Sequence, residues 1–264
     1  MTAWILIGVF VAPALVAVGV RAFTERPHWG SASHESTGQA PIASETAEPV
    51  VQVYAARTWG LRGAVAVHTW IAVKRSGAEN YLRHEVIGWR LRRTGTALVR
   101  EPGGADAMWF SNRPQLLVDL RGPGVDAVID RIEAAARDYP YAHEYRMWPG
   151  PNSNTFTAYI GRRVPELRLN LPPTAIGKDY LTQGRLIARS PSGSGYQFSL
   201  NGVLGATAAL REGIEVNLFG SAAGIGLYPP AVRLPGLGTW PSRPVRTGVR
   251  SEKRSLASTE QIGP

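Results

Sequence analysis

With 264 residues, 44% of them hydrophobic and eight of them tryptophan, the chain is long and apolar enough to bury one sizeable core or two small ones, which excludes a disordered chain and a disulfide-stapled miniature. The lack of cysteine excludes disulfides, thiolate metal sites and a cysteine nucleophile, and leaves the redox compartment open. A formal net charge of +9 favours anionic partners such as phospholipid headgroups or acidic cell-wall polymers, and since no nucleic-acid motif accompanies the charge, nucleic acid is not expected among them.

The first element is an uncharged apolar run from Ala3 to Val20, about 27 Å long as a helix, which matches the hydrocarbon thickness of a bilayer. Trp4 at one end and Arg21 with Phe23 at the other have the character of interfacial anchors. Residues 1–24 are therefore expected to form an N-terminal transmembrane helix that tethers the chain, with a cleaved signal peptide and a buried core helix as the alternatives. Residues 25–49, rich in Ser, Ala, Thr, Glu and Pro, are expected to be a flexible linker.

From Val50 the pattern becomes strand-like: Val50 to Ala56, Ala64 to Val73 and Leu82 to Leu91 predict a meander, with further strands over Ala97 to Arg100 and Gln115 to Leu120. Alternation would then place Arg83, Arg90, Arg92 and Arg93 on a solvated strand face. Val125 to Asp138 carries apolar residues at helical spacing between a Pro-Gly entry and Pro140. A shorter helix is expected over Thr155 to Arg163, entered through Asn152 and Ser153. Beyond Leu181 the pattern is of short strands: Arg185 to Arg189, Gly195 to Leu200, Val203 to Leu210, Ile214 to Phe219 and Ala222 to Tyr228. The fold class is α+β with an antiparallel sheet and a few helices, a globular domain over 50–238, and a disordered basic tail over 239–264 that carries Arg243, Arg246, Arg250, Lys253 and Arg254.

Two places carry chemistry. In Trp148-Pro149-Gly150-Pro151-Asn152-Ser153-Asn154-Thr155-Phe156 a Pro/Gly approach delivers polar residues to a helix start, where free amides and a partial positive charge stabilise an oxyanion. Ser153 is the candidate nucleophile and Asn152 a candidate oxyanion donor; helix capping is the structural alternative for both. His68, on a strand with Trp70, is the candidate base, oriented by Glu85, or by His84 if the register differs by one. A core histidine satisfied by a backbone carbonyl is its structural alternative. Lys178-Asp179 after Pro172-Pro173 reads as an exposed pair that closes a loop. No Walker or Rossmann pattern and no metal-ligand spacing is present, so no cofactor or metal is expected.

The segments Ala55-Ala56-Arg57-Thr58-Trp59-Gly60, His68 to Val73, Glu85-Val86-Ile87-Gly88-Trp89, Trp148 to Phe156 and Pro172 to Tyr180 resemble a bacterial family catalogued as domain of unknown function 3750, over about Val50 to Gly238. More distantly, a strand histidine followed by Asn152-Ser153-Asn154-Thr155-Phe156 is similar to the circularly permuted papain-like domains of the NlpC/P60 superfamily, with Ser153 where their cysteine stands. That resemblance implies a papain-like core followed by a C-terminal β-rich segment. It also implies a hydrolase or acyltransferase acting on an amide or ester, with Ser153, His68, Glu85 and Asn152 as its site. The alternative is a noncatalytic, envelope-associated binding module for lipid or peptide with a degenerate papain-like site. The expected setting is the bacterial inner membrane, reached through a single N-terminal span, with the domain periplasmic; the alternative is the cytoplasmic side, where Arg21 and Arg26 would hold it by the positive-inside rule. Anionic lipid and cell-wall peptide are the expected partners.

Overall fold

The computed structural model describes residues 4, 7–24 and 28–242. Its centre is a five-stranded antiparallel sheet of β1 (Val50–Arg57), β2 (Val67–Lys74), β3 (Leu82–Val86), β4 (Leu98–Pro102) and β5 (Gln115–Arg121) in the order β4-β3-β2-β1-β5. Strands β1 and β2 are buried on both faces along nearly their whole length, which is why Val50 to Ala56 and Val67 to Val73 read as almost unbroken apolar runs.

One face is covered by helices α3 (Val125–Arg137) and α4 (Ser153–Arg163), whose Val128, Ile129, Ile132, Phe156 and Ile160 pack with Val53, Val67 and Ile71. The other face carries Tyr54, Ala56, Trp70 and Ala72 against Ala105, Trp109 and Phe110, with Ala32, Ala40 and Ala43 at its margin. That cover corrects the expected linker. Residues 28–49 lie along the domain, held by the Asp106 carboxylate, which accepts from Ser36 Oγ and from the backbone N–H groups of Thr37, Gln39 and Ala40.

The strand expected over Leu82 to Leu91 ends at Val86. Helix α2 (Arg90–Thr94) follows, closed by Gly95 at φ 74°, so Arg90, Arg92 and Arg93 stand on a helical turn rather than along a strand. Near the N-terminus a π-turn over Ile7–Val11 runs into α1 (Ala12–Ala22). The expected membrane span falls partly outside the described residues, and among those described no helix is long and apolar enough to cross a membrane.

A second, seven-stranded antiparallel meander forms the C-terminal part: β6 (Ile187–Arg189), β7 (Gly195–Leu200), β8 (Leu204–Ala209), β9 (Gly213–Leu218), β10 (Ser221–Leu227), β11 (Pro230–Leu234) and β12 (Gly238–Trp240). The expected basic tail thus begins inside β12, and residues 243–264 lie outside the described residues.

The meander is fastened to α4 and to the loop over residues 171–179 by a buried charge network, and here the exposed loop pair expected at Lys178-Asp179 is corrected. Lys178 Nζ donates to Asp179 at 2.8 Å and to Glu215 on β9, while Arg233 on β11 donates to Glu215 at 2.7 Å and to Leu171 O at 2.6 Å. Arg162 of α4 reaches Lys178 O at 2.8 Å and Gln197 Oε1 of β7 at 2.6 Å. Burial opposes ionisation of Glu215, but the charges of Lys178 and Arg233 outweigh it and draw its pKa down to about 2.

Glu215→Gln removes the shared anion from two buried cations and is expected to cost about 3–5 kcal/mol in equilibrium urea unfolding. Because the folded pKa lies below the ordinary 4.5, the Glu215 contribution is complete above pH 4.5 and is lost as pH falls toward about 2. The Gln variant should lose that part of the acid dependence.

Candidate functional site

Alternation along β2 decides which side chains can meet. Thr69 points to the α4 face: its Oγ1 lies 3.0 Å from Asn154 Oδ1, 2.9 Å from Thr157 Oγ1 and 3.4 Å from Ser153 O. Asn154 Nδ2 in turn donates to Val67 O at 3.0 Å and Ile176 O at 2.8 Å. His68, one residue along, points the other way and stacks on Trp109 with centroids 3.8 Å apart and planes 13° apart. His68 thus lies on the face of β2 opposite Thr69, whereas Ser153 begins the helix that covers the Thr69 face, and among the described residues no hydrogen bond joins the two. Neither the Ser153 hydroxyl nor His68 Nδ1 has a hydrogen-bond partner among the described residues, yet neither atom is fully enclosed.

The Ser153 end is a capped helix terminus. Asn152 is the N-cap, and its Oδ1 accepts from the amides of Asn154 at 2.9 Å and Thr155 at 3.1 Å. Thr155 Oγ1 returns the bond by accepting from Asn152 N at 3.1 Å, which closes a capping box. Both hydrogens of Asn152 Nδ2 are also engaged, with Met147 O and Ile176 O, each at 3.0 Å. The donors expected to form an oxyanion hole, the Asn154 and Thr155 amides and the Asn152 amide group, are thus all committed within the protein. Gly177 makes room for the cap: a Cβ there would lie 2.3 Å from Asn152 Nδ2.

The His68 end is a polar group set in tryptophan. Its Nε2 lies 2.7 Å from Glu85 Oε2, and Arg83 bonds the same carboxylate at 3.0 Å while stacking its guanidinium 4.6 Å from the Trp70 ring. The register pairs Ile71 with His84 and Ala72 with Arg83, so Arg83 and Glu85 share the His68 face and His84 takes the other. Burial lowers the His68 pKa, partly offset by the bond and charge of Glu85; for Glu85, burial is outweighed by His68 and Arg83, and its pKa falls. An ionised Glu85 accepts from Nε2–H, which leaves Nδ1 as the unprotonated nitrogen of a neutral ring. Trp89, half exposed, stacks on Trp109 at 5.7 Å and forms the outer wall.

Of the expected site residues the structure brings His68 and Glu85 together, sets Ser153 at the start of α4 with no hydrogen bond to His68, and uses Asn152 as a cap. Arg83, expected on a solvated strand face, instead pairs with the buried Glu85, and neither it nor Trp109 is a site residue in the sequence reading. Arg83 was legible, standing two residues before Glu85 on one strand face, whereas Trp109 comes from an irregular loop with no periodic signal. His84 is fully buried and neither ring nitrogen has a partner, so burial holds its pKa down at about 4.

The arrangement defines an α+β module that carries a buried His–Glu–Arg group beside an exposed tryptophan, with a sealed helix N-terminus on the reverse of the same strand. The chain belongs to the family described as Protein of unknown function (DUF3750), whose model matches residues 48–180. The match takes in the five-stranded sheet, α2 to α4 and Lys178-Asp179, and stops short of the C-terminal meander that the sequence resemblance had included. No curated protein and no solved structure matches the chain.

In NMR titration His68 is expected to protonate below pH 6.5, and Glu85→Gln to move its midpoint lower still, since the variant removes the bond and charge that favour the imidazolium. A midpoint above 6.5 contradicts the geometry. His84→Leu is expected to stabilise the fold by about 1–2 kcal/mol, because it removes two unpaired nitrogens from the interior. The gain grows as pH falls from 6.5 toward 4, where the unfolded chain binds a proton that folded His84 resists; urea unfolding at two pH values checks it.

Proposed function

We propose that the chain is a noncatalytic binding module of the bacterial envelope, built on a degenerate papain-like frame, and not a hydrolase. The observation that carries this reading is the commitment of every expected oxyanion donor at the α4 terminus together with the placement of His68 on the reverse of β2. Acyl transfer needs a hydroxyl, a base within hydrogen-bond reach and free donors at one point. Ser153 has the helix start without the base, and His68 has the orienting carboxylate without the hydroxyl.

What His68 offers is one acceptor nitrogen, held in a fixed tautomer by Glu85 and flanked by the Trp109 ring, on which the half-exposed Trp89 stacks in turn. A ligand with an N–H or O–H donor and an apolar flank fits that chemistry, as an amide-bearing cell-wall peptide or a lipid headgroup does. The apolar N-terminal segment supports placement at the inner membrane.

Treatment with a fluorophosphonate probe and with small ester and anilide substrates tests the reading. Wild type and Ser153→Ala are expected to behave alike, with no covalent adduct at Ser153 and no turnover. An adduct on Ser153 that disappears in Ser153→Ala, accompanied by hydrolysis that also requires His68, would restore the hydrolase.

A further inference from the structure

The C-terminal meander alternates with inverted polarity. Its inward positions, facing the rest of the domain, are polar or small: Gln197, Ser199, Thr207, Glu215, Asn217 and Arg233 are all buried. Its outward positions are apolar. Register places Tyr196 beside Ala208, Ala208 beside Ile214, Ile214 beside Ile225, Ile225 beside Val232 and Val232 beside Trp240, a row that crosses six strands. Ile214 is 59% exposed, Ile225 63%, Tyr196 58% and Trp240 78%, and Phe198, Leu204 and Val216 extend the same face along the strands. A sheet that turns its aliphatic side outward over such a width is not explained by its own core.

Charge around this face has one sign. Between residues 181 and 242 the acids are Glu212 and Glu215, and both are buried. Arg185 and Arg189 lie at the β6 edge, where the Arg189 guanidinium sits 5.5 Å from the Tyr196 ring. The sequence that follows β12 at the opposite edge carries Arg243, Arg246, Arg250, Lys253 and Arg254. Tyr196, Tyr228 and Trp240, the amphipathic aromatics that favour a water–lipid boundary, are all exposed. Beside the meander, α1 packs Ala17 against Gly236 in the β11–β12 turn, where an added Cβ would come within 2.7 Å of Ala17 Cβ, and leaves Leu15, Val16 and Val20 exposed.

We propose that the outward face of the C-terminal meander docks on an anionic lipid bilayer, with its aliphatic row set among the acyl chains and Arg185 and Arg189 at the β6 edge on the headgroups. A second copy of the chain is the weaker occupant, because face-to-face pairing would bring together two molecules of net charge +9, whereas anionic lipid neutralises that charge. The inference rests on the meander alone and holds whatever the His68 site binds.

The test is flotation of the full-length protein with vesicles of phosphatidylcholine, or of equal parts phosphatidylcholine and phosphatidylglycerol, alongside size-exclusion chromatography with light scattering. Wild type is expected to float with the anionic vesicles and much less with the neutral ones. Ile214→Glu and Phe198→Glu, at outward positions that tolerate a carboxylate without disturbing the core, should each weaken vesicle binding by roughly tenfold or more. Since α1 and the basic tail are unchanged in both variants, equal binding by wild type and variants would overturn the proposal and assign any affinity to those segments. Failure of wild type to bind either vesicle would overturn it, and a wild-type dimer that becomes monomeric in Ile214→Glu, with no vesicle binding, would overturn it in favour of self-association. Circular dichroism of both variants establishes that the fold is retained, and Ile225→Ser replaces either one that unfolds.

Discussion

Everything at the centre of this molecule depends on strand β2 being buried on both faces while its side chains alternate between them. Thr69 is bound to the α4 terminus and His68 to a tryptophan pocket, and neither can exchange sides without moving the register of the whole sheet by one residue. A one-residue slip would drive Trp70 into the helices and Ile71 into the aromatic layer, so the faces are held by packing on both sides. The polar groups then follow: a capping box closes on one side, and a His–Glu–Arg group closes on the other.

This constraint changes the meaning of a motif that invites a catalytic reading. A serine at a helix start, an asparagine before it and a histidine on a strand are the components of acyl-transfer chemistry, yet the same residues are also what a buried helix terminus and a double-covered strand need for their own satisfaction. Capping by Asn152 meets the amides that an oxyanion would need. The interaction of Glu85 and Arg83 with His68 keeps a neutral imidazole stable in an apolar layer, where an unpaired one, such as His84, is costly.

The fold was largely legible where one physical signal dominated. Val125 to Arg137 shows helical spacing with a clear stop, and the runs in β1 and β2 are too apolar to be anything but central strands. Legibility failed where two periods fitted equally, as at Arg90 to Arg93, or where tertiary contact overrode composition. Residues 28–49 have the make-up of a linker, but Asp106 gathers their amides and holds them against the domain. Lys178-Asp179 looked exposed because a charged pair after two prolines usually is, and only the partners on β9 and β11, Glu215 and Arg233, make burial affordable. In the meander the period of two was plain, but the direction was not: sequence reasoning sends the aliphatic set inward, and here the buried charges claim that side. For the site, the His68–Glu85 pairing was readable as same-face residues on adjacent strands, whereas the placement of Ser153 depends on which face α4 covers, a property of the assembled layers.

The central claim is that His68 lies on the face of β2 opposite Thr69, whereas Ser153 begins the helix that covers the Thr69 face, and through-space proton contacts in solution test it most directly. Nuclear Overhauser effects from the His68 ring protons to the Trp109 indole, together with contacts from the Thr69 methyl to Thr157 and none from His68 to the Ser153 β-protons, are the predicted pattern. A contact between the His68 ring and the Ser153 side chain would contradict the account and return the pair to a single site.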